Sequence, residues 1–313
     1  MDHRASTKSK WFLLEAGYRP NTVRRYKTAV ASFLEWCCNG GLIAHSFEDL
    51  DDHLTNYFHY LFGRANGGGR QLATETYFGV VMLLPRADGQ LRVSHRALER
   101  WRKFKPSVSY PPLTWVLTVA IAIQMARSGL YRFAIATLLG FDCLLRCGEL
   151  LSLRRSDVAD AGDSRLGAEL RVMSVAIRRA KTGRNQSVTV LDEDVKALLR
   201  SLLASTSDSE LLFPGGVKLY RLVFKMACHS LGLRDGYVPH SLRHGGATRL
   251  WMLGWSIEDI MVRGRWASTK SARHYVQEGR AVLMSLRRYD SLVNHASVLA
   301  SRLQRAFALA QKH

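Results

Sequence analysis

The sequence predicts a mainly α-helical protein with one small β-hairpin, an α+β chain in two domains, and three observations lead there. Apolar residues recur at helical spacing through most of the 313 residues. A single stretch, "AELRVMSVAIRRAKTGRNQSVTVL" (168–191), instead reads as two β-rich runs flanking the turn sequence "AKTGRNQ". Finally, "KPSVSYPP" (105–112) gathers three of the seven prolines and interrupts the helical pattern. It sets the expected boundary between a helical domain, 1–108, and a second domain, 109–313.

Taken in order, the first helix is "TVRRYKTAVASFLEWCC" (22–38), with Val23, Tyr26, Val30, Phe33 and Cys37 on one face. Asn21 is its expected cap and Gly40–Gly41 its stop. Arg24, Arg25 and Lys27 fall off the apolar stripe and form a basic face suited to phosphate contacts. A second helix (48–64) runs into "ANGGGR", a flexible connection that lacks the glycine spacing of a phosphate cradle. "TETYFGVVMLL" and "SHRALERWRKF" are further helices. "LTWVLTVAIAIQMA" (113–126) is too short to cross a bilayer comfortably and reads as a buried helix. The helical pattern continues through "LLRCGELLSL" to Leu153, which puts Cys143 and Cys147 one turn apart and Arg146 three residues before Glu149. Beyond the hairpin the chain reads as helical to its end, punctuated by Pro214, Gly254 and Gly264.

Charge narrows the function. Lys and Arg total 45 against 26 acids, a net charge of +19 with a pI near 10.1. A surplus spread along the chain implies a polyanionic partner. The five cysteines form no C-x-x-C pair, and "MDHRASTKSK" does not resemble a signal peptide, so a reduced intracellular setting is expected. H-E-x-x-H, G-x-S-x-G, EF-hand and zinc-ribbon patterns are all missing, so no metal site is expected. "KTG" at 181–183 lacks the S-x-x-K and S-D-N partners of a penicillin-binding fold.

What remains is a set of cations. Arg146 lies in an apolar run and needs a partner or a task. In "PHSLRHGGATRL" (239–250), His240 and Arg243 are three apart at a helix start and project from one face. Gly245 and Gly246 lower helix propensity there, which implies close approach by another backbone or a ligand. Tyr275 follows Trp266 by nine residues.

In this order, "LRCGEL", "RRAKTG", "HSLRH", "GRW" and "RHY" resemble the tyrosine recombinase (phage integrase) family, over essentially the whole chain. The resemblance implies a core-binding domain followed by a catalytic domain. It implies Tyr275 as nucleophile, Arg146 and Arg243 as clamps on the scissile phosphate, and Lys181 as the acid that protonates the departing 5′ oxygen. It gives His240 an acid–base role and places Trp266 where a histidine is commoner. Glu149 would orient a neighbouring cation, and His244 would support the site from behind.

The chemistry gives these types a reason to occur together. A phenol, with pKa about 10, needs help to ionise at neutral pH, and a covalent phosphotyrosine conserves the bond for religation. Two guanidinium forks hold the charge of the pentavalent state. An indole N–H donates to a phosphate oxygen but cannot shuttle a proton, so Lys181 and His240 carry that burden. Tyr289 fits no such spacing, and Tyr237 reads as core.

No metal or nucleotide cofactor is called for. The partner implied is double-stranded DNA, with no membrane. The last helix, with Leu299, Leu303 and Phe307 at helical spacing, either packs on its own domain or docks on a neighbour; the family's habit favours exchange within a tetramer. Two other readings stay open: strand relaxation in the manner of a type IB topoisomerase, and a DNA-binding accessory protein without catalysis.

Overall fold

In the computed structural model the described residues are 17–106, 110–160, 172–180, 183–233, 236–277, 279 and 290–310. The chain divides into two compact units, Met1–Val108 and Ser109–His313.

The first unit is helical. Its helices are α1 (Pro20–Asn39), α2 (Phe47–Arg64), α3 (Arg70–Leu83) and α4 (Arg92–Phe104). Helix α1 starts earlier than Asn21 suggests: Arg19 is the extended cap and Pro20 opens the helix. Proline suits that position because its missing N–H would have no intrahelical partner. Helix α2 opens on a capping box, Ser46 Oγ accepting from the Asp49 N–H and the Asp49 carboxylate from the Ser46 N–H, each at 3.0 Å. Phe33, Leu54, Tyr57, Phe58, Tyr77 and Trp101 fill the core.

The second unit is built around α5 (Trp115–Arg127) and α6 (Tyr131–Asp142). Both are buried on almost every side, as helices apolar all round must be. The apolar helices expected up to Leu153 form, but Arg146 does not lie inside one of them. Helix α6 stops at Asp142, and a separate short helix, α7, runs Cys147–Leu150. Leu144 adopts a left-handed backbone, φ 50°. The Leu145 N–H then reaches back to the Gly140 carbonyl and the Leu144 N–H to that of Phe141, the paired bonds of a Schellman stop. That stop usually takes glycine; here Leu144 and Leu145, both buried, hold it by packing. Cys143 and Cys147 consequently lie outside any shared helix.

The expected hairpin is present, as β2 (Ser174–Ala180) and β3 (Gly183–Thr189), antiparallel with Ser174 opposite Thr189 and Ala180 opposite Gly183. A two-residue strand β1 (Val158–Ala159) adds to β2. Lys181 lies outside the described residues. Then follow α8 (Glu193–Ala204), α9 (Gly216–Ser230), α10 (His240–Met252), α11 (Ile257–Gly264), α12 (Thr269–Arg273), α13 (Asp290–Ala300) and α14 (Leu303–Ala310). Leu303 and Phe307 are buried in this unit's own core, with Phe307 edge-on to Tyr131 at 5.6 Å. In the single chain the last helix therefore packs on its own domain. All five cysteines are free thiols. Among the described residues no helix is long and apolar enough to cross a membrane.

Candidate active site

Four chain segments converge in the second unit: the turn after α6, the start of α10, the end of α11 and the residues after α12. Helix α10 can lie where it does because of its glycines. A Cβ at Gly245 would collide with the Leu113 carbonyl, and one at Gly246 with that of Phe141. The expected close approach is thus to backbone. It brings Arg243, one turn into α10, against the left-handed turn at Leu144.

Arg243 is fully buried. Its guanidinium donates to the carbonyls of Leu144 and Gly264 and lies over the Trp266 ring, 4.3 Å from the centroid, and the Tyr275 ring at 5.3 Å. Burial first, then Arg146 and Arg265, pull its pKa down to about 9; it stays charged at neutral pH. Arg146 caps α7 and donates from Nη1 to Glu149 Oε1 at 2.6 Å, while its backbone N–H donates to Glu149 Oε2 at 3.0 Å. Burial works to raise the Glu149 carboxyl. The Arg146 backbone and side chain, together with Arg265, outweigh it and hold the group below its usual range. Glu149 is thus ion-paired with Arg146 three residues before it.

Tyr275 is half-buried in a box of rings. Trp266 stands at 4.6 Å, His244 stacks at 4.6 Å, His240 lies at 5.4 Å and His274 at 5.7 Å. The segment is pinned to α10: the Thr248 hydroxyl accepts from the Gln277 N–H at 3.0 Å, its own hydrogen shared between the His244 carbonyl at 2.8 Å and the Tyr275 carbonyl at 3.3 Å. Gln277 Nε2 donates to His244 Nδ1 at 2.8 Å, which fixes the stacked imidazole. His240 is driven down to about 4, by burial first and then by Arg243, Arg146, His274 and Arg221. It is a neutral imidazole at pH 7. Two buried donors in this box, Arg243 Nε and Trp266 Nε1, have no partner among the described residues. Buried N–H groups are ordinarily bonded, so these two suit an acceptor brought by a ligand, and an anionic oxygen most of all.

The structure therefore brings together Arg146, Glu149, His240, Arg243, His244, Trp266 and Tyr275. Tyr237 is core, as read, and Tyr289 lies outside the described residues. Arg24, Arg25 and Lys27 are exposed on the first unit; Arg25 is ion-paired with Glu75, and Arg24 bonds the Asn21 side chain. Sequence reasoning missed three features. His274 faces Tyr275. Arg265 is buried behind Arg146. Arg221, Lys225 and His229 line a cavity of about 840 Å³ together with Arg146 and His240. The last three stand at i, i+4 and i+8 of α9, a spacing that marks one basic helix face and was open to reading.

Solved structures show the same architecture. A lambda integrase dimer bound to a COC′ core site is 17% identical, over 89% of this chain and 94% of that one, with a TM-score of 0.58. The Tn1549 transposon integrase in complex with transposon right end DNA is 13% identical, over 88% and 97%, with a TM-score of 0.57. At such identities the likeness is one of fold. No curated protein sequence matches the chain. The model of the phage integrase family matches residues 119–281, more than half of the chain and every segment that forms the site. With that match laid over the ring box and its paired guanidiniums, the chain belongs to the phage integrase family, the tyrosine recombinases.

Proposed function

We propose that the protein is a DNA strand transferase that cuts and rejoins double-stranded DNA through a 3′-phosphotyrosyl intermediate on Tyr275. The observation that carries this reading is the Tyr275 hydroxyl-bearing ring held against Arg243, Trp266 and a neutral His240, with two buried N–H donors unpaired beside it. His240 in its neutral form accepts or shares the phenol proton. The freed oxygen attacks phosphorus, Arg146 and Arg243 hold the developing charge, and Trp266 Nε1 donates to a non-bridging oxygen. The 5′ oxygen leaves with a proton from Lys181. A 5′-hydroxyl of another strand then reverses the step. The balance is closed: one phosphodiester is exchanged for another, with no net hydrolysis.

In this reading the first unit, with Arg24, Arg25 and Lys27, is a DNA-binding domain, and the net charge of +19 draws the chain to duplex. Two recombinases of like fold are bound to DNA in their structures, one of them as a dimer, which supports a DNA partner for this chain. A mobile-element origin and a tetramer on DNA, with α14 exchanged between subunits, belong to the same proposal.

The test is covalent trapping. Nicked suicide duplexes drawn from DNA flanking the gene are expected to give a protein–DNA adduct that survives denaturation. Tyr275→Phe is expected to give none. A wild-type chain that forms no adduct on any such duplex would overturn the reading, and relaxation of plasmids without a special site would redirect it to a topoisomerase.

A further inference from the structure

Arg265 is an arginine with no place in the reading so far, and its surroundings are unusual. It ends α11 in a left-handed backbone, φ 56° and ψ 45°, where glycine or asparagine is the ordinary choice. Its side chain is nonetheless buried, turned away from the ring box. Nη2 donates to Glu149 Oε2 and to the Leu144 carbonyl, both at 3.1 Å; Nη1 donates to the Arg263 carbonyl at 3.0 Å and more weakly to that of Cys143 at 3.4 Å. The Glu149 carboxylate is the one that holds Arg146. The Leu144 carbonyl is the one that accepts from Arg243.

We infer that Arg265 is a positioning residue that sets both phosphate-binding arginines, through the Glu149 carboxylate for Arg146 and through the Leu144 carbonyl for Arg243. Three steps carry this. First, the guanidinium gives its Nη donors to protein acceptors and its charge to the Glu149 carboxylate, whereas Arg243 bonds only neutral carbonyls, so the work of Arg265 is on the scaffold. Second, Glu149 is buried with its charge kept, and a buried carboxylate with one cation would fold over that cation and quench it. With Oε2 committed to Arg265 and the Arg146 backbone, only Oε1 engages the Arg146 fork, which leaves its remaining donors directed elsewhere. Third, the left-handed turn at 265 sends consecutive side chains to opposite sides: Arg265 to Glu149 and Trp266 to Tyr275. The turn at Leu144, also left-handed and also non-glycine, presents its carbonyl between the two guanidiniums. Two strained turns thus lock one another through a shared carbonyl. Such conformations persist where the surroundings over-determine them.

The inference rests on the strand-transfer reading only in naming a phosphate as the ligand of Arg146, and its test does not need DNA. Inorganic phosphate is titrated into the full chain and into Arg265→Gly, Arg146→Ala and the double variant by calorimetry. Glycine suits the left-handed backbone, so Arg265→Gly removes the guanidinium while relieving the turn. The expected result is a loss of phosphate affinity of roughly 10-fold or more in each single variant, the scale of one charged hydrogen bond. In the double variant the two losses are expected to combine to clearly less than their product, because the part of the Arg265 effect that runs through Glu149 needs Arg146, while the part that runs through the Leu144 carbonyl to Arg243 persists. Wild-type affinity in Arg265→Gly, losses that multiply in the double variant, or a wild-type chain that binds phosphate no better than Arg146→Ala each overturn the inference.

If circular dichroism finds Arg265→Gly unfolded, Glu149→Gln takes its place. It breaks the same carboxylate and leaves Arg265 on its backbone acceptors. Unchanged phosphate binding there, or a loss that multiplies with that of Arg146→Ala, overturns the inference as well. Single-turnover adduct formation separates the two claims. A chain that binds phosphate through Arg146 but never links to DNA sinks the function and leaves this inference standing. Full-speed adduct formation by Arg265→Gly sinks the inference alone.

Discussion

The two arginines of the site are held in opposite ways. Arg243 is 0% exposed and anchored to backbone carbonyls at two separate turns. The Arg146 side chain is 22% exposed and hangs from a single carboxylate. One is built into the backbone scaffold; the other is a partly exposed group steered by another side chain. The difference teaches that the equal roles proposed for them at a phosphate do not require equal construction. It also predicts unequal consequences when each is removed.

The largest effect is expected at Arg243. Arg243→Ala should reduce DNA cleavage by 10²-fold or more and also destabilise the fold by about 1–3 kcal/mol, because the buried Gly264 carbonyl loses its donor while that of Leu144 keeps only Arg265. Arg146→Ala should reduce cleavage by a similar factor while lowering stability by no more than about 1 kcal/mol. Single-turnover adduct formation and urea midpoints measured on the same preparations check both. Equal stability losses in the two variants would erase the contrast.

A second way to press the comparison is to move α10 itself. In Gly245→Ala the new methyl meets the Leu113 carbonyl, and overpacking of that kind costs about 1–3 kcal/mol. Because the helix carries Arg243 and His240 with it, cleavage should fall as well, while Arg146, on its own turn, keeps its hold on Glu149. A thermal melt with the cleavage assay reads this, and an unshifted melt counts against the packing account.

The smallest effect is a matter of pH. His240 titrates near 4 in the folded chain, against about 6.5 for an unhindered imidazole, because burial and the nearby arginines resist its protonation. Its contribution to stability is whole above about pH 6.5. It is lost progressively as pH falls toward 4, where unfolded chains take up a proton that folded ones refuse. Urea midpoints at pH 7.5 and 5.0 should therefore drop more in the wild type than in His240→Asn. The acid limb that His240 gives to kcat/KM should lie near pH 4 rather than 6.5.

Much of this was legible before any coordinates. The helical spacing of 113–126, the β-runs around "AKTGRNQ" and the His240-x-x-Arg243 step are local patterns, and local patterns survive folding. The glycines at 245 and 246 announced a close approach because a helix tolerates them only at a cost. The stop at Leu144 was not legible. A leucine in a left-handed stop is held by packing against distant residues, and no rule of turn composition marks it. Arg265 was invisible for the same reason: in sequence it is one more arginine of a basic chain, and only burial beside Glu149 gives it a role. The expected helical setting of Arg146 failed with Leu144, since its position depends on where α6 ends.

The pinning of residues 275–277 to α10 by Thr248 carries a consequence for subunit stoichiometry. The proposed nucleophile is fastened to the same helix that bears Arg243 and His240, so under the proposed chemistry these three groups come from one subunit. Under the strand-transfer reading, a subunit without Arg243 and one without Tyr275 would have nothing to lend each other in a mixed assembly. Strand exchange then becomes a count of intact subunits, and the division of labour among copies concerns timing rather than chemistry.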